Sequence, residues 1–231
     1  MAADIKFIFF DVGNTLLFPN RARIDEPLTE RGITPDKAHL RDLECRTKSS
    51  FDAQMTRNGS TDKSFWWMFY AQLLAEIGVK DEALLEQLVS NIQDSGNWDQ
   101  MLLGTREQLE KIAERYRIAV ISNADGRIED VLRRCGIADC FRSITDSGLV
   151  GYEKPHAQIF RRALESLNAK PEESLYVGDV YSVDYLGATG AGLHAMLMDV
   201  PGAYKDKGVA RVESLEELQN ALVITNDRIS L

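Results

Sequence analysis

Residues 5–17 read IKFIFFDVGNTLL, and their texture decides the fold. Ile5, Phe7, Ile8, Phe9 and Phe10 form an apolar run broken only by Lys6. A short run this rich in Ile and Phe predicts a strand over residues 5–12, covered on both faces like the centre of a parallel sheet. Gly13-Asn14 then breaks it. The run has no basic region before it and is cut at once by Asp11, so it is not expected to act as a signal peptide. No apolar run approaches the ~20 residues that span a bilayer.

Outward from this strand the texture changes twice. Over residues 18–95, Pro19, Pro27 and Pro35 punctuate a polar stretch, and three helical segments follow at 36–57, 62–77 and 81–94. Each opens near an aspartate (Asp36, Asp62, Asp81) able to accept free backbone N–H groups. Gly78 is the expected stop of the second. After Gly96 strands and helices alternate. Helices are expected at 105–115, 126–135, 155–167 (with Pro155 in its first turn), 182–190 and 213–222. Strands are expected at 117–122, 143–145, 174–178 and 193–198. This order predicts an α/β fold, a doubly wound parallel sheet with helices on both faces. A small all-helical cap is inserted after the first strand. The expected division is a core of residues 1–17 and 97–231 and a helical cap of residues 18–96.

Bulk properties fit a globular chain. Of 231 residues, 44% are hydrophobic and 27% charged, and the net charge of −9 gives nucleic acid no basic face to bind. A small anionic substrate stays compatible, because one metal ion and one lysine reverse the sign locally. Three cysteines, Cys45, Cys135 and Cys140, without a C-x-x-C, predict free thiols and a reduced, cytoplasmic setting. Neither a nucleic-acid nor a membrane partner is expected.

Ligands of a doubly wound sheet sit beyond the carboxyl ends of its strands. Those positions carry Asp11, Ser122-Asn123, Lys154 and Asp179, with Asp184 five residues on. Taken singly, Asp11 reads as a turn cap, Ser122 as a turn residue, Lys154 as a solvated lysine and Asp184 as a helix-start carboxylate. As a set on one rim they form a site.

These residues resemble the four motifs of the haloacid dehalogenase-like superfamily. FFDVGNTL, with Asp11 and Thr15, resembles the first; ISN, with Ser122, the second; GYEKP, with Lys154, the third; GDVYSVDYLGA, with Asp179 and Asp184, the fourth. The insert lies where the family's C1-type helical cap lies. The resemblance implies a Rossmann-like core and an aspartate nucleophile, Asp11, that forms a covalent intermediate. It implies Mg2+ held by Asp11, Asp179, Asp184 and the backbone carbonyl of Gly13. Thr15 joins the catalytic set, Ser122 and Asn123 hold phosphoryl oxygens, and Lys154 offsets the charge between nucleophile and phosphate. The substrate expected is a small phosphorylated metabolite.

One position departs from the family. Its phosphatases carry an Asp two residues after the nucleophile, which protonates the leaving group and then activates water; here that residue is Gly13. General acid–base catalysis is worth ~100- to 10,000-fold, so Gly13→Asp is expected to raise alkyl phosphate turnover where the carboxylate fits. Four readings stay open. A phosphatase is slow, selective for good leaving groups, or draws an acid/base from Asp125 or Glu153. A 2-haloacid dehalogenase needs no such proton, but the retained Asp179–Asp184 pair repels without a cation. A carbon–phosphorus hydrolase needs a cap lysine, Lys48 or Lys63. A non-catalytic relative only binds. His39, His156 and His194 are read as structural or exposed, and the Phe65–Tyr70 aromatic stripe mainly as cap core. The basic cluster Arg21, Arg23, Arg41, Arg46 and Lys48 reads as a solvated face.

Overall fold

The computed structural model describes residues 4–58 and 64–224. Strands β1 (Phe7–Phe10), β2 (Arg117–Ser122), β3 (Ile144–Asp146), β4 (Ser174–Gly178), β5 (His194–Met198) and β6 (Arg211–Val212) form one sheet in the order β3-β2-β1-β4-β5-β6. Every neighbouring pair is parallel. The chain steps outward from β1 to β3, then returns to lay β4 on the other flank of β1. That reversal opens a crevice beyond the carboxyl ends of β1 and β4.

All four residues of β1 are buried, and their alternation divides the interior. Ile8 and Phe10 point to one face. There they pack with Val120 and Val177 against α6 (Thr105–Ala113), α7 (Ile128–Arg134) and α11 (Leu215–Ile224). Phe7 and Phe9 point to the other, packing with Ile121 and Tyr176 against α9 (Ala157–Leu167) and α10 (Leu186–Gly190), the short α8 (Ser147–Val150) following directly on β3. Covering both faces is what the unbroken apolar run required.

Between β1 and α6 lie α1 (Arg21–Ile24), α2 (Glu26–Thr29), α3 (Lys37–Asn58), α4 (Ser64–Glu76) and α5 (Glu82–Gln93). They gather around a separate apolar cluster that includes Leu28, Leu43, Phe69, Leu73 and Leu88. Asp36 and Asp81 cap α3 and α5 through backbone N–H groups, at 2.9 Å to Ala38 and 3.0 Å to Leu84. The insert is closed at its neck by paired backbone bonds between Phe18 and Gln100.

Several local expectations need correction. The proline-punctuated stretch holds the single-turn helices α1 and α2, because Pro27 fits a first turn, where its missing N–H costs nothing. Pro155 lies before α9 rather than in it, and the imidazole of His156 caps that helix by accepting from the N–H of Gln158. The helix expected at 182–190 opens as a π turn, Tyr181–Tyr185, and only then becomes α10. The two-residue β6 was not anticipated. Asp62 and Lys63 lie outside the described residues. Among those described, no helix is long and apolar enough to cross a membrane.

Candidate active site

The carboxyl ends of β1, β2 and β4 converge on a cavity of about 420 Å3, roofed by the helical insert. Asp11, Gly13, Ser122, Asn123, Lys154, Asp179 and Asp184 all line it. Thr15 does not. It is buried in the turn after β1, and its hydroxyl has no hydrogen-bond partner among the described residues. That turn folds back through N–H groups of Leu16 and Leu17 to the carbonyl of Val12, with Asn14 in the left-handed region that asparagine tolerates.

Lys154 ties the site together. Its buried ammonium donates to Asp11 Oδ1, Asp184 Oδ1 and the hydroxyl of Tyr176, each at 2.7 Å. Three donors meet three acceptors, so the charge is fully used. Asn123 holds the lysine's backbone from both sides: its amide accepts from Lys154 N–H at 2.7 Å and donates to Lys154 C=O at 3.0 Å. The Asn123 side chain therefore places Lys154, while Ser122 sits at the rim end of β2.

Asp184 is equally engaged. Its Oδ2 accepts from the N–H groups of Asp179 and Val180, at 3.0 and 2.9 Å, which fixes the loop after β4. A Cβ on Gly178 would stand 2.5 Å from Asp184 Cγ, so only glycine lets strand and carboxylate approach this closely. Tyr176, in the middle of a buried strand, carries its hydroxyl to Asp184 Oδ1 at 3.0 Å.

The third carboxylate is held from the insert. Lys48, fully buried on α3, places its ammonium 2.9 Å from Asp179 Oδ2 and 3.0 Å from Glu44 Oε1. Two residue types thus recur, aspartate and lysine, one lysine supplied by the core and one by the insert. Burial works against the charge of Lys48, but Asp179 and Glu44 outweigh it and push its pKa well up. A protonated lysine behind Asp179, outside the cavity lining, lacks the free amine that a Schiff base needs.

Ligand atoms of Asp11, Asp179 and Asp184 lie within 4.8 Å of one another. Burial pushes Asp11 up to about 7; Lys154 opposes this, and Asp184 and Asp179 add to it. Burial likewise lifts Asp179 to about 6, against the pull of Lys48. Three buried, mutually repelling carboxylates beside two ammonium groups form a cluster that could hold a further cation. All their donors are hard oxygens, so the set fits Mg2+.

The same cavity also carries aromatic side chains. Phe65, Trp66 and Trp98 line it. Trp66 meets Trp98 edge-on at 5.6 Å and Phe65 at 4.9 Å. The expected aromatic stripe is therefore divided: Phe69 and Tyr70 build the insert's own cluster, Phe65 and Trp66 face the cavity, and Trp67 is exposed. Trp98 is the residue that sequence reading missed. Its indole N–H donates to Ile92 C=O at 2.7 Å, which turns the ring's carbon edge over Gly13. A Cβ built on Gly13 would meet Trp98 Cζ3 at 3.2 Å, and its three nearest neighbours are all carbons of that ring. Gly13 has no left-handed φ. A side chain at Gly13 is therefore tight against the indole, and the gain expected of Gly13→Asp requires the Trp98 ring to give by a few tenths of an ångström.

The other candidates resolve as follows. Asp125 lines the cavity, but its carboxylate takes the hydroxyl of Ser95 at 2.6 Å and the guanidinium of Arg127. Burial raises its pKa, and these bonds more than reverse that, holding it below the usual carboxylate value. It stays ionised and is a poor proton donor. Glu153 also lines the cavity. Of the basic cluster, Arg21 reaches Tyr70, Arg23 pairs with Asp99, Arg41 donates to the carbonyls of Val200 and Pro201, and Arg46 pairs with Glu76. None of the four lines the cavity. His39 lies 2.9 Å from Glu76, and His194 begins β5, both away from the site.

Comparison with known proteins bears on this geometry. A family model described as haloacid dehalogenase-like hydrolase matches residues 5–192. A human haloacid dehalogenase-like hydrolase domain-containing protein 3 is 31% identical over 216 residues, covering 86% of this chain and 84% of its own. A glyceraldehyde 3-phosphate phosphatase from Methanothermobacter thermautotrophicus is 42% identical over 85 residues, or 36% of this chain and 38% of that one. Among solved structures, the Bacillus subtilis protein YfnB, crystallised bound to magnesium, superimposes with a TM-score of 0.70 at 18% identity, covering 94% of this chain and 98% of that one. The last likeness speaks for the fold.

Proposed function

Because this chain belongs to the haloacid dehalogenase-like hydrolases, we propose that it is a Mg2+-dependent phosphatase acting on a small phosphorylated molecule through an aspartyl-phosphate on Asp11. The observation that carries this reading is the buried Asp11–Asp179–Asp184 cluster with Lys154 at its centre. A dehalogenase leaves such a cluster without purpose, and one relative matched over part of the chain is described as a glyceraldehyde 3-phosphate phosphatase.

In this reading Asp11, Asp179, Asp184 and the Gly13 carbonyl would hold Mg2+, which would supply positive charge against the phosphoryl oxygens. Lys154 screens Asp11 from the incoming dianion. Ser122 donates to a phosphoryl oxygen at the end of β2. Asp11 attacks phosphorus in line, the leaving oxygen departs toward the insert, and water later releases phosphate and restores Asp11. Lys48 keeps Asp179 ionised and oriented from behind. Residues 18–96 act as the cap that shuts the cavity.

The test is incubation with phenyl phosphate or acetyl phosphate and Mg2+, for wild type and Asp11→Asn. Loss of about 10,000-fold or more in turnover is expected, the scale seen when a nucleophile is removed. Equal turnover by the two proteins, or full activity in chelator, sinks the proposal.

A further inference from the structure

The leaving-group side of the cavity differs from the phosphoryl side in a way that points to the substrate. Resting on the phosphatase reading above, we infer that the substrate is an aryl phosphomonoester, whose flat aromatic leaving group lies against Trp66 and Trp98.

The first support is the group that faces the departing oxygen. Beside Gly13, in the direction a side chain would take, stands the carbon edge of Trp98, fixed by its N–H bond to Ile92. Carbon neither donates a proton nor solvates an alkoxide. Asp125, the neighbouring carboxylate, is committed to Ser95 and Arg127. An alkoxide leaving against this ring edge would find no proton donor in the ring. A phenolate spreads its charge over its ring and needs no proton to leave.

The second support is the wall itself. Phe65, Trp66 and Trp98 line one cavity, with Trp66 and Trp98 both half-buried and 5.6 Å apart in an edge-on arrangement. That geometry leaves ring faces to stack on or meet a third ring, an interaction that adds to simple burial. The third is charge. Lys154 is the one cation among the described lining residues, and its three donors are already taken. With Asp125 and Glu153 also on the lining, a leaving group carrying its own carboxylate or second phosphate meets only like charge.

The chemistry balances without an enzyme acid. An Asp11 oxygen bonds to phosphorus as the phosphorus–aryl oxygen bond breaks, and its electron pair leaves on the phenolate. Water then attacks the phosphorus of the aspartyl-phosphate and frees Asp11. The proton that water sheds ends on the departed phenolate, giving a phenol and inorganic phosphate.

The experiment compares phenyl phosphate, a series of substituted phenyl phosphates, glycerol phosphate and acetyl phosphate on wild type, Asp11→Asn, Glu153→Gln and Trp66→Leu. Alongside, inhibition by benzylphosphonate and cyclohexylmethylphosphonate reads ring recognition free of leaving-group reactivity. Aryl esters are expected to exceed glycerol phosphate by ~100-fold or more in kcat/KM, the usual worth of the absent acid. A steep dependence on phenol acidity should accompany this. Benzylphosphonate should inhibit about 10-fold more tightly than its saturated twin, the scale of an aromatic contact of about 1.4 kcal/mol. Trp66→Leu should raise KM for phenyl phosphate about 10-fold more than KM for acetyl phosphate. Asp11-dependent cleavage of glycerol phosphate at the aryl rate, or equal inhibition by the two phosphonates, overturns the aryl assignment and leaves the phosphatase reading standing. Loss of such alkyl turnover in Glu153→Gln would identify the acid that defeats it. Turnover that survives Asp11→Asn, or none with any ester, removes both.

Discussion

The floor and the roof of one cavity obey opposite rules. On the floor every charged group is answered: Lys154 by Asp11, Asp184 and Tyr176, Asp184 by two backbone N–H groups, Asp179 by Lys48. On the roof the rings of Phe65, Trp66 and Trp98 meet one another, and the position that titrates in related phosphatases is glycine under an indole. The floor holds charge in place, and the roof offers aromatic carbon. On the proposed phosphatase reading, a site built this way holds the phosphoryl group and leaves the departing group to its own chemistry.

The largest effects should come from the floor. Lys154→Met leaves Asp11 and Asp184 buried without their shared cation. Breaking a buried pair in this way costs ~3–5 kcal/mol, and turnover should fall about 1,000-fold, the scale of losing one charge-stabilising donor. Thermal melts and initial rates read both. A variant that melts like wild type would mean that solvent already screens the site. Lys48→Met comes next, because it unpairs Asp179 and Glu44 without entering the cavity. Magnesium affinity by calorimetry should weaken about 10- to 100-fold, as when a ligand loses its supporting partner. Unchanged affinity would make Lys48 a bridge between insert and core and nothing more.

Smaller effects follow from the raised carboxylates. In the metal-free protein Asp11 is pushed up to about 7 and Asp179 to about 6, each from an ordinary value of 3.8. A folded-state pKa above the unfolded one means the folded state holds more protons between those values. Stability from these groups is thus fully present below about pH 4 and declines as pH rises through 6 and 7. Mg2+ binds the ionised form and should reverse the decline. Its addition is expected to raise the melting temperature by a few degrees more at pH 8 than at pH 5. An equal shift at both values would detach the metal from this cluster.

The floor was legible in the sequence and the roof was not, for a physical reason. Asp11, Ser122 and Asp179 follow apolar strands, and a strand end is a local signal that parallel pairing converts into a shared rim. Tyr176 left a faint trace, a hydroxyl in a strand where burial obliges it to find a partner. Lys48 was visible as a lysine but not in its role, since its pairing with Asp179 depends on how α3 docks against the loop after β4. Trp98 left none: it sits in a polar link, and only the closing of the insert's neck at Phe18 and Gln100 swings it over Gly13. Alternation of strands and helices specified the sheet, while contacts between insert and core specified the roof.

The smallest predicted effect tests that roof most directly. Where backbone geometry permits, replacing glycine by alanine stabilises a protein by ~0.4–1 kcal/mol, by restricting the unfolded chain. Gly13 has no left-handed φ, so backbone geometry permits it, and Gly13→Ala should gain that amount if nothing else intervened. The Cβ, however, would stand 3.2 Å from Trp98 Cζ3, and the ring is tethered through its N–H to Ile92. Overpacking of this kind costs ~1–3 kcal/mol, so the net change should be a loss of about 1 kcal/mol or a little more. In a Trp98→Leu background the sign should reverse, which a double-mutant cycle of melting temperatures resolves. A stabilising Gly13→Ala with Trp98 in place would show that the indole yields readily, and that the missing carboxylate has some cause other than the ring that fills its space.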